Sequence, residues 1–319
     1  MFTIKSLKTF LLVATCLGLA FILSFCNRDR ATDSITVDKD NYGSMEFGGI
    51  ERTYRIHVPP SYDETKPAPL LLVFHGLGGD GKEMESATKF NDISDRRGFI
   101  VVYPNGYKSS WSDGSGASPA SREGIDDVGF VSALIDKLAK ELRIDLNRVY
   151  ATGFSNGGLF AQRLACELSD KIAAIASVGG TMAEKLSPGC DPNRAVSVMH
   201  THGTEDSIVP WEGGEVRGVG ISGWRILSVP AMLSRWIDIN DCSTSTKKEH
   251  DQDSGKNVRA EFFGGCRNNT EVVSYALNGG EHNWPGVKIE LSGPSSVKTS
   301  RDMYIEDVIW GFFEKHPMK

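Results

Sequence analysis

Residues 148–168 read RVYATGFSNGGLFAQRLACEL. The first five, Arg148–Thr152, have the β-branched and aromatic character of a strand. Leu159–Leu168 has the apolar spacing of a helix. Between them lies Gly153-Phe154-Ser155-Asn156-Gly157, a G-x-S-x-G pentapeptide. A serine on a sharp turn from strand to helix exposes its hydroxyl, and the flanking glycines leave room for the tight backbone. The helix N-terminus beside it favours negative charge. Ser155 is the candidate nucleophile.

Outward from this segment, strands and helices alternate. Strand-like runs occur at Ser44–Phe47 and Thr53–Val58. Pro69–Phe74 (PLLLVF) and Phe99–Tyr103 (FIVVY) are continuous apolar runs, as expected of strands buried on both faces. Helical spacing marks Lys82–Arg97, Asp126–Leu142, Pro230–Ile239 and Arg301–Phe313. Further strands are expected at Ala173–Val178, Ala195–His200 and Val272–Leu277. Ser243–Asn257 reads as a solvated polar loop. The alternation predicts an α/β fold of one domain, a mainly parallel central sheet flanked by helices, over residues 44–319.

A nucleophilic serine needs a base, and the base needs an orienting acid. In the α/β-hydrolase fold these follow in the order serine, acid, histidine. His282 follows the strand EVVSYAL in the Gly-rich loop NGGEHNWPG, where it can swing over Ser155, and is the candidate base. Glu205 and Asp206 both qualify as the acid. HGTEDSIVP resembles the HGxxDxxVP stretch of hydrolases that carry their acid there, which favours Asp206. His202 then braces the acid's loop. The turn His75-Gly76-Leu77-Gly78-Gly79 leaves a buried strand and resembles the turn that supplies an oxyanion donor. The amides of Leu77 and Asn156 are the expected pair, with His75 ordering the loop. Trp111, Trp211 and Trp284 follow strands and are expected near the mouth of the site, where they could stack on an aromatic acyl group or a sugar.

Other chemistries fit less well. Gly76–Gly81 (GLGGDG) matches G-x-G-x-x-G, but the next strand ends in Tyr103-Pro104-Asn105 without the acid that would bind a ribose. The chemistry above calls for no metal and no organic cofactor. The formal net charge is -6, and no basic stripe appears, which argues against a nucleic-acid partner.

Lys5 and Lys8 precede the uncharged, predominantly apolar run Phe10–Phe25. Residues 1–25 therefore read as a signal peptide, with an uncleaved anchor as the alternative. The stretch LSFC resembles the lipobox of bacterial lipoproteins, in which Cys26 would be lipidated, although Phe25 replaces the usual small residue. Residues 26–43 form a polar lead-in. The expected location is extracytoplasmic, either lipid-anchored at a membrane or secreted. Cys166, Cys190, Cys242 and Cys266 remain for disulfides. Three pairings are open, the sequential one being the simplest.

The ordered set HGLGGD, WSDG, DDVGFVSALID, RVYATGFSNGGL, LAC, HGTEDSIVPW and GGEHNWPG resembles the LpqC-like esterases, from about Arg52 onward. These are feruloyl esterase-like and polyhydroxybutyrate depolymerase-like carboxylesterases. The resemblance implies a catalytic triad of Ser155, Asp206 and His282. It also implies the pairs Cys166–Cys190 and Cys242–Cys266. Its expected substrates are feruloyl, acetyl or polyhydroxyalkanoate-type esters, borne on a small molecule, a polysaccharide or a polyester. Trp211 and Glu281 depart from the usual Tyr and Gly. A peptidase, or a binding protein on a hydrolase scaffold, are the rival readings.

Overall fold

The computed structural model describes residues 41–249, 258–286 and 305–318. The expected signal peptide, Cys26 and most of the lead-in lie outside these residues. All described residues fall within one unit, Ile35–Lys319.

In chain order the elements are β1 (Tyr42–Phe47), β2 (Ile50–His57), β3 (Ala68–Phe74), α1 (Gly81–Ala87), α2 (Phe90–Arg97) and β4 (Ile100–Pro104). Then come α3 (Pro119–Arg122), α4 (Asp127–Glu141), β5 (Ile144–Phe154), α5 (Asn156–Glu167), β6 (Ala174–Val178) and β7 (Ser197–Gly203). They are followed by β8 (Gly214–Glu215), β9 (Arg225–Ile226), α6 (Val229–Asn240), β10 (Thr244–Glu249), β11 (Val258–Gly264), β12 (Val272–Leu277) and α7 (Ile305–Phe313).

The main sheet runs β1-β2-β4-β3-β5-β6-β7-β12-β11-β10, and β8 and β9 form a separate pair. Its six central strands, β4 to β12 in that order, are parallel; the two pairs at its edges run antiparallel. Strands β3, β4 and β6 are buried along their whole length, which explains their unbroken apolar sequences. One face packs Leu70, Leu72 and Phe74 with Phe130 of α4, Phe160 of α5 and Trp236 of α6. The other packs Leu71 and Val73 with Phe90 of α2 and Trp310 and Phe313 of α7. This is the expected α/β fold.

Two local expectations change. The helical pattern at Lys82–Arg97 is two helices, because both the amide and the hydroxyl of Thr88 bond Met84 O and close α1 before α2 begins. The polar stretch after Ser243 is not all loop: Thr244–Glu249 pairs with β11, a strand the sequence reading omits. An edge strand facing water can be polar, so TSTKKE gives no apolar signal. The closing helix is described from Ile305; residues 301–304 lie outside the described segments.

Both disulfides are sequential, Cys166–Cys190 and Cys242–Cys266, each with a sequence separation of 24. The first ties the end of α5 to the segment before β7. The second joins the end of α6 to the β11–β12 connection.

Candidate active site

Ser155 is the single residue between β5 and α5, with φ 53° and ψ -119°. Positive φ on a residue with a Cβ costs on the order of 1–3 kcal/mol and persists only where the surroundings enforce it. Here Ser155 N–H donates to Val178 O at 2.9 Å, and Ser155 O accepts from Leu159 N–H at 2.9 Å. The glycines make the close approach feasible. A Cβ on Gly157 would lie 2.3 Å from Phe74 O, and one on Gly153 would lie 2.5 Å from Gly157 O. The two glycines of the pentapeptide are therefore demanded by packing of the elbow against β3.

The parallel sheet delivers the partners from β7 and β12, which are neighbours. Their loops are stitched together: Glu205 N–H donates to Gly280 O at 2.9 Å, and Gly279 N–H to Thr204 Oγ1 at 2.9 Å. Across this junction Asp206 Oδ2 lies 2.7 Å from His282 Nδ1, and His282 Nε2 lies 2.9 Å from Ser155 Oγ. Glu205, the alternative acid, makes no such contact with His282. The imidazole also rests against the Phe154 ring, 4.8 Å between centroids.

Asp206 is held from every side. Its Oδ1 accepts the amides of Ile208 (2.9 Å) and Val209 (2.7 Å). Its Oδ2 also lies 3.1 Å from His202 Nε2. Burial pushes this carboxyl up, but the hydrogen bonds from His202 and His282 outweigh burial and hold it well below the ordinary carboxylate value. The carboxylate is therefore ionised at neutral pH. His202 Nε2 is also within 2.8 Å of Val209 O, which identifies that nitrogen as the protonated one. Its Nδ1 then accepts from His200 Nε2 at 3.2 Å. Burial depresses the His200 pKa well below normal, so it stays neutral.

The β3 turn closes against the serine. A Cβ on Gly76 would meet Ser155 Cβ at 3.4 Å, so the turn that carries Leu77 passes close to the elbow. Asn156 opens α5, where no intrahelical carbonyl can reach its amide. Both ring nitrogens of His75 are engaged within this turn region: its Nδ1–H donates to Gly76 O (2.7 Å) and its Nε2 accepts from Gly106 N–H (2.9 Å). Burial lowers its pKa to about 4, so it is neutral at pH 7.

The tryptophans correct an expectation. Trp111 and Trp284 are fully buried and lie in the core rather than at the mouth of the site. Trp111 stacks on Phe160 at 5.2 Å and donates Nε1–H to His75 O at 3.0 Å. Trp284 donates Nε1–H to Glu306 Oε1 at 2.9 Å and packs edge-on against Phe90. A ring following a strand is as well placed to fold back under the sheet as to line a pocket. Trp211 is half-buried and edge-on to His202, 6.0 Å between centroids.

Sequence reasoning passed over one group. Asn156 is clamped by its side chain: Oδ1 accepts Trp111 N–H (2.7 Å), while Nδ2 donates to Trp111 O (3.2 Å) and to Asp113 Oδ2 (3.1 Å). Asp113 is completely buried, which raises its pKa. Its other oxygen accepts from Ser115 N–H and Ser115 Oγ–H. The WSDG run was the available signal, in which an acid follows a tryptophan, since a buried acid needs a partner.

A family model described as phospholipase/carboxylesterase matches residues 61–217. The chain is 28% identical over 273 residues to a bifunctional acetylxylan esterase/xylanase of Neocallimastix patriciarum, covering 79% of this chain but only 37% of that protein. It is 25% identical over 251 residues to feruloyl esterase D of Neurospora crassa, covering 75% of this chain and 77% of the relative. The solved structure of a ferulic acid esterase from Anaeromyces mucronatus, bound to ferulic acid, superposes with a TM-score of 0.52 at 13% identity. The overlap covers 86% of this chain and 89% of that one. Sheet order, strand-to-helix elbow and these likenesses agree on an α/β-hydrolase fold, and the chain is similar in sequence to feruloyl and acetylxylan esterases.

Proposed function

We propose that the protein is an extracytoplasmic serine carboxylesterase acting through Ser155, His282 and Asp206. The observation that carries this reading is the continuous path from Ser155 Oγ to His282 Nε2 (2.9 Å) and from His282 Nδ1 to Asp206 Oδ2 (2.7 Å). The feruloyl and acetylxylan esterase relatives support the ester bond as the target. The two disulfides support an oxidising compartment. A cleaved leader over residues 1–25 and a lipid on Cys26 would complete that location.

The chemistry follows from the geometry. Neutral His282 takes the proton of Ser155 as the oxygen attacks the ester carbonyl, and ionised Asp206 stabilises the resulting imidazolium. The carbonyl oxygen gains charge and is met by the Leu77 and Asn156 amides. The tetrahedral intermediate collapses as His282 returns the proton to the departing alcohol, leaving an acyl-Ser155 ester. Water, deprotonated by His282, attacks that ester through a second tetrahedral intermediate, and the acid leaves with Ser155 regenerated. The protein groups complete the cycle without a metal or organic cofactor.

The test is hydrolysis of a short aryl ester by the full chain and by Ser155→Ala. The expected loss is at least about a thousandfold in kcat, in line with removal of a triad nucleophile. Unchanged turnover in Ser155→Ala refutes the assignment. Esters of ferulate, acetylated sugars and hydroxyalkanoate oligomers, assayed side by side, then rank the acyl groups.

A further inference from the structure

Asp206 has an imidazole neighbour besides His282. His200 and His202 are alternate residues of β7, so both project from the same face of the sheet. Both are buried, with ring centroids 5.2 Å apart. The chain turns back directly after β7, Asp206 N–H donating to Gly203 O at 3.3 Å, and this brings the carboxylate to the His202 ring. A polar ring inside a protein is costly unless its nitrogens are paired. Here the pairing runs in one direction. His200 Nε2–H donates to His202 Nδ1 at 3.2 Å. His202 Nε2–H is shared between Val209 O at 2.8 Å and Asp206 Oδ2 at 3.1 Å. Val209 N–H donates in turn to Asp206 Oδ1 at 2.7 Å, so one residue ties the ring to the carboxylate.

Asp206 therefore carries four donors. The amides of Ile208 and Val209 meet Oδ1, while His282 Nδ1–H and His202 Nε2–H meet on Oδ2. Two consequences follow for the base. The carboxylate cannot rotate away from His282 without also losing His202. Each donor also takes a share of the negative charge, and a carboxylate so shared holds a neighbouring imidazolium less tightly. Other charged groups nearby do not supply this effect. Glu205 and Glu281 adjoin Asp206 and His282 in sequence, yet neither hydrogen-bonds the pair among the described residues. Arg259, two strands from His202 in the same row, is countered by Glu261 at 3.6 Å. His200 is kept neutral by burial.

We propose that His202 is a positioning residue for the triad, whose Nε2–H fixes Asp206 Oδ2 toward His282 and shares its charge, so that His282 acts as a base further toward acid pH. His200 supports it by occupying Nδ1, which leaves the His202 proton on Nε2. The role rests on the esterase reading and concerns how the proposed base is regulated, and no proton passes through His202 in the reaction.

The test compares the pH dependence of kcat/KM on a short aryl ester for the full-length parent, His202→Leu and His202→Gln, with active sites counted by fluorophosphonate titration. The acidic limb reports the essential base of the free enzyme. In His202→Leu it is expected to move up by at least about half a pH unit. The kcat per active site is expected to fall roughly tenfold. Glutamine places an amide N–H where Nε2–H stood, and His202→Gln is expected to return the limb toward the parent and to recover most of kcat. A histidine that only supports folding lowers the number of active sites and leaves the limb in place. An unshifted limb in folded His202→Leu, or a His202→Gln limb displaced equally far, overturns the role. Thermal unfolding checks that the variants fold. Nitrogen NMR of the parent near pH 8 needs no variant. It is expected to show the His202 proton on Nε2 and a bare Nδ1, and a bare Nε2 overturns the role. A parent that hydrolyses no ester removes the esterase reading and this role together. A parent that hydrolyses esters while the variants or the NMR fail the test loses only the role of His202.

Discussion

Ser155 is held at φ 53° by its own hydrogen bonds, yet the amide expected to serve catalysis belongs to Asn156, whose side chain is clamped to Trp111 and Asp113. Asn156→Ala removes the clamp and strands a buried carboxylate. The expected outcome is a drop in kcat of roughly 10–100-fold on a short aryl ester, with KM changed far less, because an oxyanion donor acts on the transition state. Steady-state kinetics on the folded variant measure the split. His75 makes a separate prediction about stability. Its ordinary value of 6.5 falls to about 4 in the folded protein. The unfolded chain therefore binds its proton first as pH drops, and stability present above about 6.5 is lost progressively toward pH 4. Between pH 7 and 4.5 this single group contributes about 2–3 kcal/mol of destabilisation. Denaturant unfolding of the parent and of His75→Gln at both values checks it, and the variant should lose less stability on acidification.

At the scale of elements, the histidine loop is anchored from beneath. Trp284, two residues beyond His282, bonds Glu306 on α7, and Glu306 also accepts the Lys89 amide at the start of α2. Burial raises the Glu306 pKa. Trp284→Phe keeps the ring in the core but removes the N–H, leaving that carboxyl with one fewer donor. The expected result is destabilisation of about 1–3 kcal/mol by denaturant unfolding, together with a lower kcat as the loop loosens around His282. The Cys166–Cys190 bridge closes a loop with a separation of 24 residues. Replacing both cysteines by alanine should cost about 3 kcal/mol by the same measurement, from the entropy restored to the unfolded chain.

Over the whole molecule, what could be read in the sequence was what burial on two faces imposes. PLLLVF and FIVVY cannot sit at a surface, and their alternation with amphipathic helices left few architectures besides a parallel sheet with helices on both sides. The glycines around Ser155 were legible because their packing leaves no room for a Cβ. His282 and Asp206 were legible because loops after neighbouring parallel strands must meet at one end of the sheet. The strands β10 and β11 were not, since pairing at or next to the end of the sheet demands no apolar run. Nor was the burial of Trp111 and Trp284, because a loop position does not say which way a ring folds. The clamp between Asn156 and Asp113 joins residues 43 positions apart and leaves no periodic trace.

The central claim is that Ser155 is an activated nucleophile, and covalent labelling tests it most directly. The full-length protein is treated with a fluorophosphonate probe, digested and mapped by mass spectrometry. A single adduct is predicted on the peptide carrying Ser155, absent from Ser155→Ala and formed far more slowly in His282→Ala. Ester hydrolysis that proceeds while Ser155 stays unlabelled, or an inhibiting adduct on another residue, contradicts the account.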